Sequence, residues 1–251
     1  AQKGRTYWIG ETLLGEEGCP ILMAGPCSVE SEEQIYGAAA LVKKCGATVL
    51  RGGAFKPRSS PYAYCGQGLE ALKWLEAAAN HFELGIVTEA MSEKHAEVVG
   101  KVADLIQIGS RNMQNFSLLH VVGRLNKPVL LKRGMAATVE EWLLAGEHLL
   151  KNGATGVIFC ERGIRSYDST SRNLLDLSAV ALLRHVYGLR VVVDPSHATG
   201  RRDLIPALSK AALAAGADGL LVEAHPQASL ALSDGPQALG ESELKGLSQL
   251  F

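Results

Sequence analysis

TVEEWLLAGEHLLKNG, residues 138–153, is followed after two residues by GVIFCERG, residues 156–163. The first segment predicts a helix, because Thr138 is a good N-cap, Glu141 three residues later completes a capping box, and Gly153 suits the end. The second segment is a nearly continuous apolar run, which is typical of a strand buried on both faces of a parallel sheet. Together they predict one α/β unit whose strand ends in charged residues.

The same plan recurs along the whole chain. EEQIYGAAALVKKCG (32–46) has one apolar face and closes on Gly46, and DLIPALSKAALAAGAD (203–218) is expected to repeat the plan of residues 138–153. The strand-like runs occupy residues 20–28, 47–55, 85–90, 104–110, 128–134, 156–163, 190–198 and 218–225. Eight strand–helix units in a chain of this length predict an α/β fold, a single (β/α)8 TIM barrel. A doubly wound open sheet is the alternative, disfavoured because no GxGxxG follows the first run.

The length of 251 residues, 47% of them hydrophobic, is enough for one large core. We therefore expect a single catalytic barrel domain over residues 1–251, with residues 1–19 as an N-terminal extension. Within it, RTYWIG and ETLLG predict a short hairpin that closes the bottom of the barrel. No separate regulatory domain is expected.

Charge and cysteine content narrow the class of protein. The formal net charge of -1 gives no global attraction to nucleic acid or to an anionic membrane. Five cysteines at irregular spacings, without a CxxC pair, suit a reduced, cytoplasmic protein. The N-terminal residues lack the apolar core of a signal peptide, and no apolar run is long enough to span a bilayer.

Polar residues follow every predicted strand, and in a barrel these ends converge on one rim. One group is cationic: Arg51, Lys56, Arg58, Arg111, Lys132 and Arg162. Because guanidinium groups match phosphate and carboxylate oxygens, and because six cations repel each other, the group predicts a small ligand carrying a phosphate and a carboxylate. The alternative is that some of these cations pair with Glu89, Glu161 or Glu223.

A second group combines a thiol, an imidazole and carboxylates: Cys27, His197, Glu223 and Asp234. Such ligands can hold a divalent transition metal. Their spacing forms no known motif, so from residue types alone Cys27 could equally be a buried small apolar residue and His197 a loop residue. Ser-His-Asp hydrolase chemistry is not indicated, because the chain has no GxSxG elbow.

Seven segments resemble one enzyme family. They are AGPCSVES (24–31), RGGAFKPRSSP (51–61), QIGSRNMQN (107–115), LLKRGM (130–135), CERG (160–163), VDPSHATG (193–200) and LLVEAHPQASLALSDGPQ (220–237). The chain resembles 3-deoxy-D-arabino-heptulosonate 7-phosphate (DAHP) synthases, in particular the compact microbial type I-beta subfamily related to the octulosonate synthases. The resemblance implies condensation of phosphoenolpyruvate with erythrose 4-phosphate and water, the first step of the shikimate pathway.

The resemblance also implies roles for individual residues. The phosphoenolpyruvate positions are Arg51, Lys56, Arg111, Lys132 and Arg162; the erythrose 4-phosphate positions are Lys56, Pro57, Arg58 and Ser59; and the metal ligands are Cys27, His197, Glu223 and Asp234. Lys56, Glu89, Lys132 and His197 are the expected catalytic residues, with Lys56 as proton donor to the sugar aldehyde. The expected cofactor is a divalent manganese, iron, cobalt or zinc ion, without an organic cofactor. The family suggests a homo-oligomer, a tetramer or a dimer.

Three other functions remain as alternatives. The 3-deoxy-D-manno-octulosonate 8-phosphate synthases run the same chemistry on arabinose 5-phosphate, but typically read K-A-N-R-S where this chain has KPRSS (56–60). A sialic acid synthase is a more distant possibility. A non-catalytic phosphosugar-binding barrel would need the cations but not the metal ligands, which are present here as a complete set.

Overall fold

The computed structural model describes residues 2–15, 19–56 and 66–251. Within these ranges eight parallel strands close into a barrel, and two further strands form a hairpin. The strands are β1 (Tyr7–Ile9), β2 (Thr12–Leu14), β3 (Ile21–Gly25), β4 (Val49–Arg51), β5 (Gly85–Glu89), β6 (Leu105–Ile108), β7 (Pro128–Lys132), β8 (Gly156–Glu161), β9 (Val191–Val193) and β10 (Gly219–Glu223). Neighbours in the chain are neighbours in the barrel from β3 to β10, and β10 pairs with β3. The (β/α)8 prediction is therefore confirmed, and the open doubly wound sheet is excluded.

Helices connect the barrel strands on the outside. They are α1 (Glu32–Lys44), α2 (Leu69–His81), α3 (Glu93–Val102), α4 (Phe116–Gly123), α5 (Val139–Lys151), α6 (Leu177–Ala181), α7 (Pro195–Thr199), α8 (Ile205–Ala214) and α9 (Glu241–Ser248). A π-helical turn, Leu182–Val186, continues α6. Among the described residues no helix has the length and apolar character needed to cross a membrane.

Local signals account for most helix ends. In α5 the predicted capping box is present: Glu141 N donates to Thr138 Oγ1 at 3.1 Å, and Thr138 N donates to Glu141 Oε2 at 2.8 Å. The expectation that residues 203–218 repeat this plan was wrong at the N-terminus. There α8 follows directly on a 3-10 turn, Arg202–Leu204, and Leu204 offers no side-chain cap.

The predicted hairpin closes the amino end of the barrel. β1 and β2 pair antiparallel, and Tyr7, Ile9 and Leu14 join the apolar cluster inside the barrel. The Tyr7 ring lies against the first residue of β8, Gly156, where a β-carbon would overlap the ring. Because this end of the barrel is filled with apolar side chains, the polar carboxyl end is the one left open to ligands.

Strand periodicity places the polar residues of the rim. Inward-facing apolar residues from six strands pack together in the barrel interior: Val49, Val87, Leu105, Leu130, Val192 and Leu221. Side chains alternate faces along a strand, so the residue two positions later also points inward, one layer higher. Those next residues are Arg51, Glu89, Gln107, Lys132, Asp194 and Glu223. The alternation of side-chain direction along each strand therefore produces two regions inside the barrel. The inward apolar residues form a base, here called the apolar floor, and polar, mostly ionisable residues lie above it.

Candidate active site

A polar cavity opens at the carboxyl end of the barrel, above the apolar floor. Its lining includes all but one of the predicted cations and metal ligands that fall in the described residues: Cys27, Arg51, Lys56, Arg111, Lys132, Arg162, His197 and Asp234. Glu223, the remaining predicted ligand, lies just beneath and is 1% exposed. The structure therefore brings both predicted groups, from all parts of the chain, to one place.

The thiol, imidazole and carboxylate group forms a compact cluster. Its four ligand atoms, from Cys27, His197, Glu223 and Asp234, lie within 4.8 Å of one another. Cys27 Sγ lies 3.1 Å from Asp234 Oδ2, and His197 Nε2 lies 3.1 Å from Glu223 Oε1. A cluster of one sulfur, one nitrogen and carboxylate oxygens fits the ligand preferences of a divalent transition metal. The four residues could therefore hold such an ion.

A buried aspartate orients the histidine of this cluster. Asp194 Oδ2 lies 2.7 Å from His197 Nδ1, which leaves Nε2 facing Glu223 and the other ligand atoms. Burial alone would favour the neutral ring, but Asp194 and Glu223 raise the pKa of His197 to about 10. Burial opposes ionisation of Glu223 too, yet His197 and Arg51 bring the pKa of Glu223 down to about 2. An outer carboxylate that fixes a ligand histidine is a common feature of metal sites.

Two of the predicted cations are paired with buried carboxylates. Arg51 Nη1 lies 3.1 Å from Glu223 Oε1 and also donates to the Pro26 carbonyl at 2.9 Å. Lys132 Nζ lies 2.5 Å from Asp194 Oδ2. The alternative considered from the sequence, pairing with a rim glutamate, thus holds for Arg51. These pairs fix the positions of the two cations and offset much of their charge.

Two other cations have no carboxylate at ion-pair distance within the described ranges. Arg162 is 6% exposed, and burial lowers its pKa, as expected for a guanidinium without a close counter-charge. Arg111 lies in the turn Ser110–Asn112, after β6, and lines the same cavity. A buried cation is costly unless it is paired, so Arg162 marks a place suited to an anionic ligand, and the exposed Arg111 lines the same cavity.

Lys56 and Glu89 also line the cavity. Lys56 Nζ donates to the Cys27 carbonyl and lies 3.3 Å from Cys27 Sγ, so its ammonium borders the cluster of ligand atoms. Glu89 Oε2 accepts from Gln107 Nε2 at 3.1 Å. The Glu89 carboxylate also lies so close to Gly109 that a β-carbon there would displace it.

Three predicted sugar-phosphate residues, Pro57, Arg58 and Ser59, lie outside the described residues. The sequence reasoning assigned no role to Asp194 or to Arg172, which also lines the cavity. The place of Asp194 in the site could have been predicted from the sequence, because Asp194 lies two residues after the inward-facing Val192. Arg172 gave no such signal, because it comes from the loop between β8 and α6.

The comparison with known proteins agrees with this geometry. A family model described as the DAHP synthetase I family matches residues 5–250. The chain belongs to the DAHP synthetase I family. The family match covers the barrel, the cavity and the cluster of ligand atoms together.

Two relatives and one solved structure illustrate the similarity. The phospho-2-dehydro-3-deoxyheptonate aldolase of Thermotoga maritima is 48% identical over 241 residues, which is 96% of this chain and 71% of that protein. The crystal structure of that DAHP synthase superposes with a TM-score of 0.93 at 46% identity, covering 98% of this chain and 72% of the other. A 2-dehydro-3-deoxyphosphooctonate aldolase from Acidithiobacillus ferrooxidans is 30% identical over 243 residues, covering 88% of this chain and 85% of that protein. Similarity is thus higher to the heptonate enzyme than to this octonate enzyme.

Proposed function

We propose that the chain condenses phosphoenolpyruvate with erythrose 4-phosphate and water to give DAHP and inorganic phosphate. The observation that carries the proposal is the cavity, in which Arg111 and Arg162 lack carboxylate partners among the described residues and face a cluster suited to a metal. A ligand with both a phosphate and a carboxylate fits such a surface. The name of the Thermotoga maritima relative points to the same activity.

The paired and unpaired cations have different roles in binding phosphoenolpyruvate. Arg111 and Arg162 supply net positive charge for the phosphate and carboxylate oxygens. Arg51 and Lys132 are held in place by Glu223 and Asp194, so they present N–H donors in a fixed direction. Because these donors are ordered before the substrate arrives, they stabilise developing charge without reorganisation.

We propose that the second substrate lies beside Lys56 and the cluster of ligand atoms. The resemblance assigns its phosphate to Arg58 and Ser59, and its remaining contacts to Lys56 and Pro57. The ammonium of Lys56 borders the cluster, next to the expected position of the aldehyde oxygen. Lys56 is therefore the proton donor to that oxygen as the carbon–carbon bond forms.

The reaction forms a carbon–carbon bond between the substrates and a carbon–oxygen bond from water, and it breaks the carbon–oxygen bond to the phosphate. Carbon 3 of phosphoenolpyruvate attacks the aldehyde carbon, and water held by Glu89, Lys132 and Arg111 adds to carbon 2. The resulting phosphohemiketal loses inorganic phosphate by cleavage between carbon and oxygen. Arg162, buried and without a close carboxylate in the described chain, stabilises the charge on the departing phosphate.

The metal would be held by Cys27, His197, Glu223 and Asp234. When bound, a divalent ion acts as a Lewis acid that polarises a carbonyl oxygen. The mixed sulfur, nitrogen and oxygen ligands suit manganese, iron, cobalt or zinc, and the thiolate favours the softer members of this series. Metal content and activity after reconstitution with each ion would identify the native metal.

The test is phosphate release from phosphoenolpyruvate, with erythrose 4-phosphate and arabinose 5-phosphate in parallel, each with and without chelator. We expect turnover of the four-carbon sugar only, lost with chelator and restored by a divalent metal. Turnover of arabinose 5-phosphate alone would assign the octulosonate reaction. Absence of turnover with both sugars, in a metal-loaded sample that binds phosphoenolpyruvate, would favour the non-catalytic binding protein.

We also propose that the chain forms a homo-oligomer, either a tetramer or a dimer, because the family suggests this. Light scattering coupled to size-exclusion chromatography measures the molar mass directly. A mass equal to the 26.7 kDa of one chain would contradict it.

A further inference from the structure

A buried charge cluster lies outside the barrel wall, directly behind the cavity. Arg133 follows Lys132 and Glu161 precedes Arg162, so both point away from the cavity by strand alternation. Arg133 Nη1 lies 3.1 Å from Glu161 Oε2 and 2.8 Å from Asp176 Oδ2. The reaction described above uses none of these three residues.

The remaining contacts hold the arginine firmly. Its Nε donates to the Ala137 carbonyl at 3.1 Å, and its guanidinium carbon lies 5.7 Å from the centre of the Trp142 ring. The Arg133 side chain is 6% exposed and that of Glu161 is fully buried. A guanidinium fork can serve several acceptors at once in one plane, whereas a lysine ammonium is a single point charge.

The three residues bracket one loop. Glu161 is the last residue of β8, and Asp176 is the N-cap of α6, where its Oδ1 accepts from Ala179 N at 3.0 Å. Arg133 therefore connects both ends of the segment 162–175. Inside the loop, two backbone hydrogen bonds of 2.9 Å join Ile164 and Leu174. Two sets of contacts therefore hold the ends of the loop together: the charge cluster, and the backbone hydrogen bonds between Ile164 and Leu174.

The loop carries two cavity-lining arginines, Arg162 at its start and Arg172 near its end. Glu161 Oε1 accepts from Gly163 N at 2.7 Å, which fixes the backbone on both sides of Arg162. In the amide orientation that satisfies both its groups, Asn173 accepts from Arg162 Nη1 at 3.2 Å. The direction of the Arg162 guanidinium therefore depends on both ends of the loop.

We propose that Arg133, through Glu161 and Asp176, is a positioning residue that clamps the loop 162–175 so that Arg162 faces the phosphate of phosphoenolpyruvate. The role of Arg162 in this statement rests on the proposed function. The clamp itself rests on the contacts of Arg133, Glu161 and Asp176. Loosening either end lets the loop open and moves Arg162 away from its binding direction.

Two substitutions test the clamp with little risk to folding. Asp176→Asn keeps the helix N-cap, because asparagine caps as well as aspartate, and removes only the charge that pairs with Arg133. Arg133→Lys keeps the positive charge between two carboxylates but loses the fork. In both variants we expect faster trypsin cleavage after Arg165 and Arg172, which lie in the loop. We also expect kcat/KM for phosphoenolpyruvate to fall by about 10- to 100-fold, as for a group displaced by about 1 Å.

The matched controls come from a similar buried pair at the opposite end of the barrel. Arg190 Nη1 lies 2.9 Å from Asp218 Oδ1, and both side chains are less than a tenth exposed. Arg190→Lys and Asp218→Asn therefore disturb a buried ion pair far from the cavity. We expect these control variants to lower the melting temperature at least as much as Arg133→Lys and Asp176→Asn do. Their KM for phosphoenolpyruvate and their rate of loop cleavage should equal those of wild type.

The outcome separates a local clamp from general destabilisation. Trypsin digestion measures loop cleavage, and calorimetry measures the affinity for phosphoenolpyruvate. The proposal is overturned if the Arg133 and Asp176 variants match the Arg190 and Asp218 variants in both quantities. It is supported if loop cleavage and that affinity change only in the first pair, while KM for erythrose 4-phosphate stays constant. If the wild-type chain does not bind phosphoenolpyruvate, the proposed function fails, and the loop cleavage rates still decide whether the clamp exists.

Discussion

Lys132 Nζ and Asp194 Oδ2 are 2.5 Å apart, and both side chains are almost completely buried. The same carboxylate oxygen lies 2.7 Å from His197 Nδ1. One aspartate therefore connects a lysine assigned to phosphoenolpyruvate with a histidine assigned to the metal. His197 and Lys132 hold the pKa of Asp194 well below its usual range, although burial opposes this. Asp194 is accordingly a carboxylate at neutral pH.

Asp194→Asn is expected to weaken metal binding by about 10- to 100-fold, because the amide no longer fixes the His197 ring through a charged acceptor. Asparagine can still cap α7, so the start of this helix is retained. Competition with a coloured chelator measures metal affinity without reference to turnover. Asp203→Asn, an exposed aspartate paired with Arg201, is the control. Equal metal affinities for Asp194→Asn and wild type would contradict the role.

Arg162→Lys is expected to raise the dissociation constant of phosphoenolpyruvate by about 10- to 100-fold. Lysine keeps the charge but loses the second N–H of a bidentate contact, worth about 1.5–3 kcal/mol when charged. Calorimetric titration of the metal-loaded protein gives the value. Arg165→Lys, on the exposed part of the same loop, should bind like wild type. An unchanged dissociation constant for Arg162→Lys would show that Arg162 does not bind phosphoenolpyruvate.

Cysteine alkylation should distinguish Cys27 from Cys160. Burial raises the pKa of Cys160 to about 12, so its thiolate fraction at pH 8 is roughly 10⁻⁴. We expect iodoacetamide at pH 8 to modify Cys27 in chelator-treated protein and to spare it once divalent metal is added. Cys160 should stay unmodified in both samples, and the exposed Cys19 should react in both. Peptide mass spectrometry reads each site; metal-independent modification of Cys27 would argue against its role as a ligand.

The difference in stability between Tyr7→Phe and wild type should grow at alkaline pH. Burial raises the pKa of Tyr7 above 10.0, while Arg5 and Arg190 oppose the shift. Because the folded-state pKa of Tyr7 lies above the unfolded-state value, the neutral hydroxyl makes its full contribution to folding stability below pH 10. That contribution is lost as the pH rises through the folded-state pKa. The hydroxyl has no hydrogen-bond partner among the described residues, so at pH 7 we expect the variant to equal wild type or exceed it by about 1 kcal/mol.

Urea unfolding of both proteins at pH 7 and pH 10.5 provides the measurement for Tyr7. The advantage of Tyr7→Phe over wild type should grow between the two pH values. Tyr167→Phe, a change at a fully exposed tyrosine, should show no such growth. Parallel behaviour of Tyr7→Phe and wild type would mean that the Tyr7 hydroxyl does not ionise differently in the folded state.

Most strand and helix positions were predictable, but the strand lengths were not. Residues 190–198 read as one apolar run, yet only Val191–Val193 pairs as a strand. Asp194 instead caps α7, and Pro195 has no N–H for a ladder. β9 therefore ends where the chain turns at Asp194 and begins α7. The inward direction of Arg51 and Glu223 followed from strand alternation.

The sequence by itself determined the alternation of helix and strand, the caps, and the polar residue at the end of each strand. These features depend on neighbours a few positions away, through backbone hydrogen bonding and side-chain periodicity. Only the tertiary structure decided which charges are neutralised: Arg51 by Glu223, Lys132 by Asp194, and Arg133 by Glu161 and Asp176. Coulomb interactions depend on distance in space, and barrel closure brings together groups that are far apart in the chain, such as Arg51 and Glu223, which are separated by 172 residues.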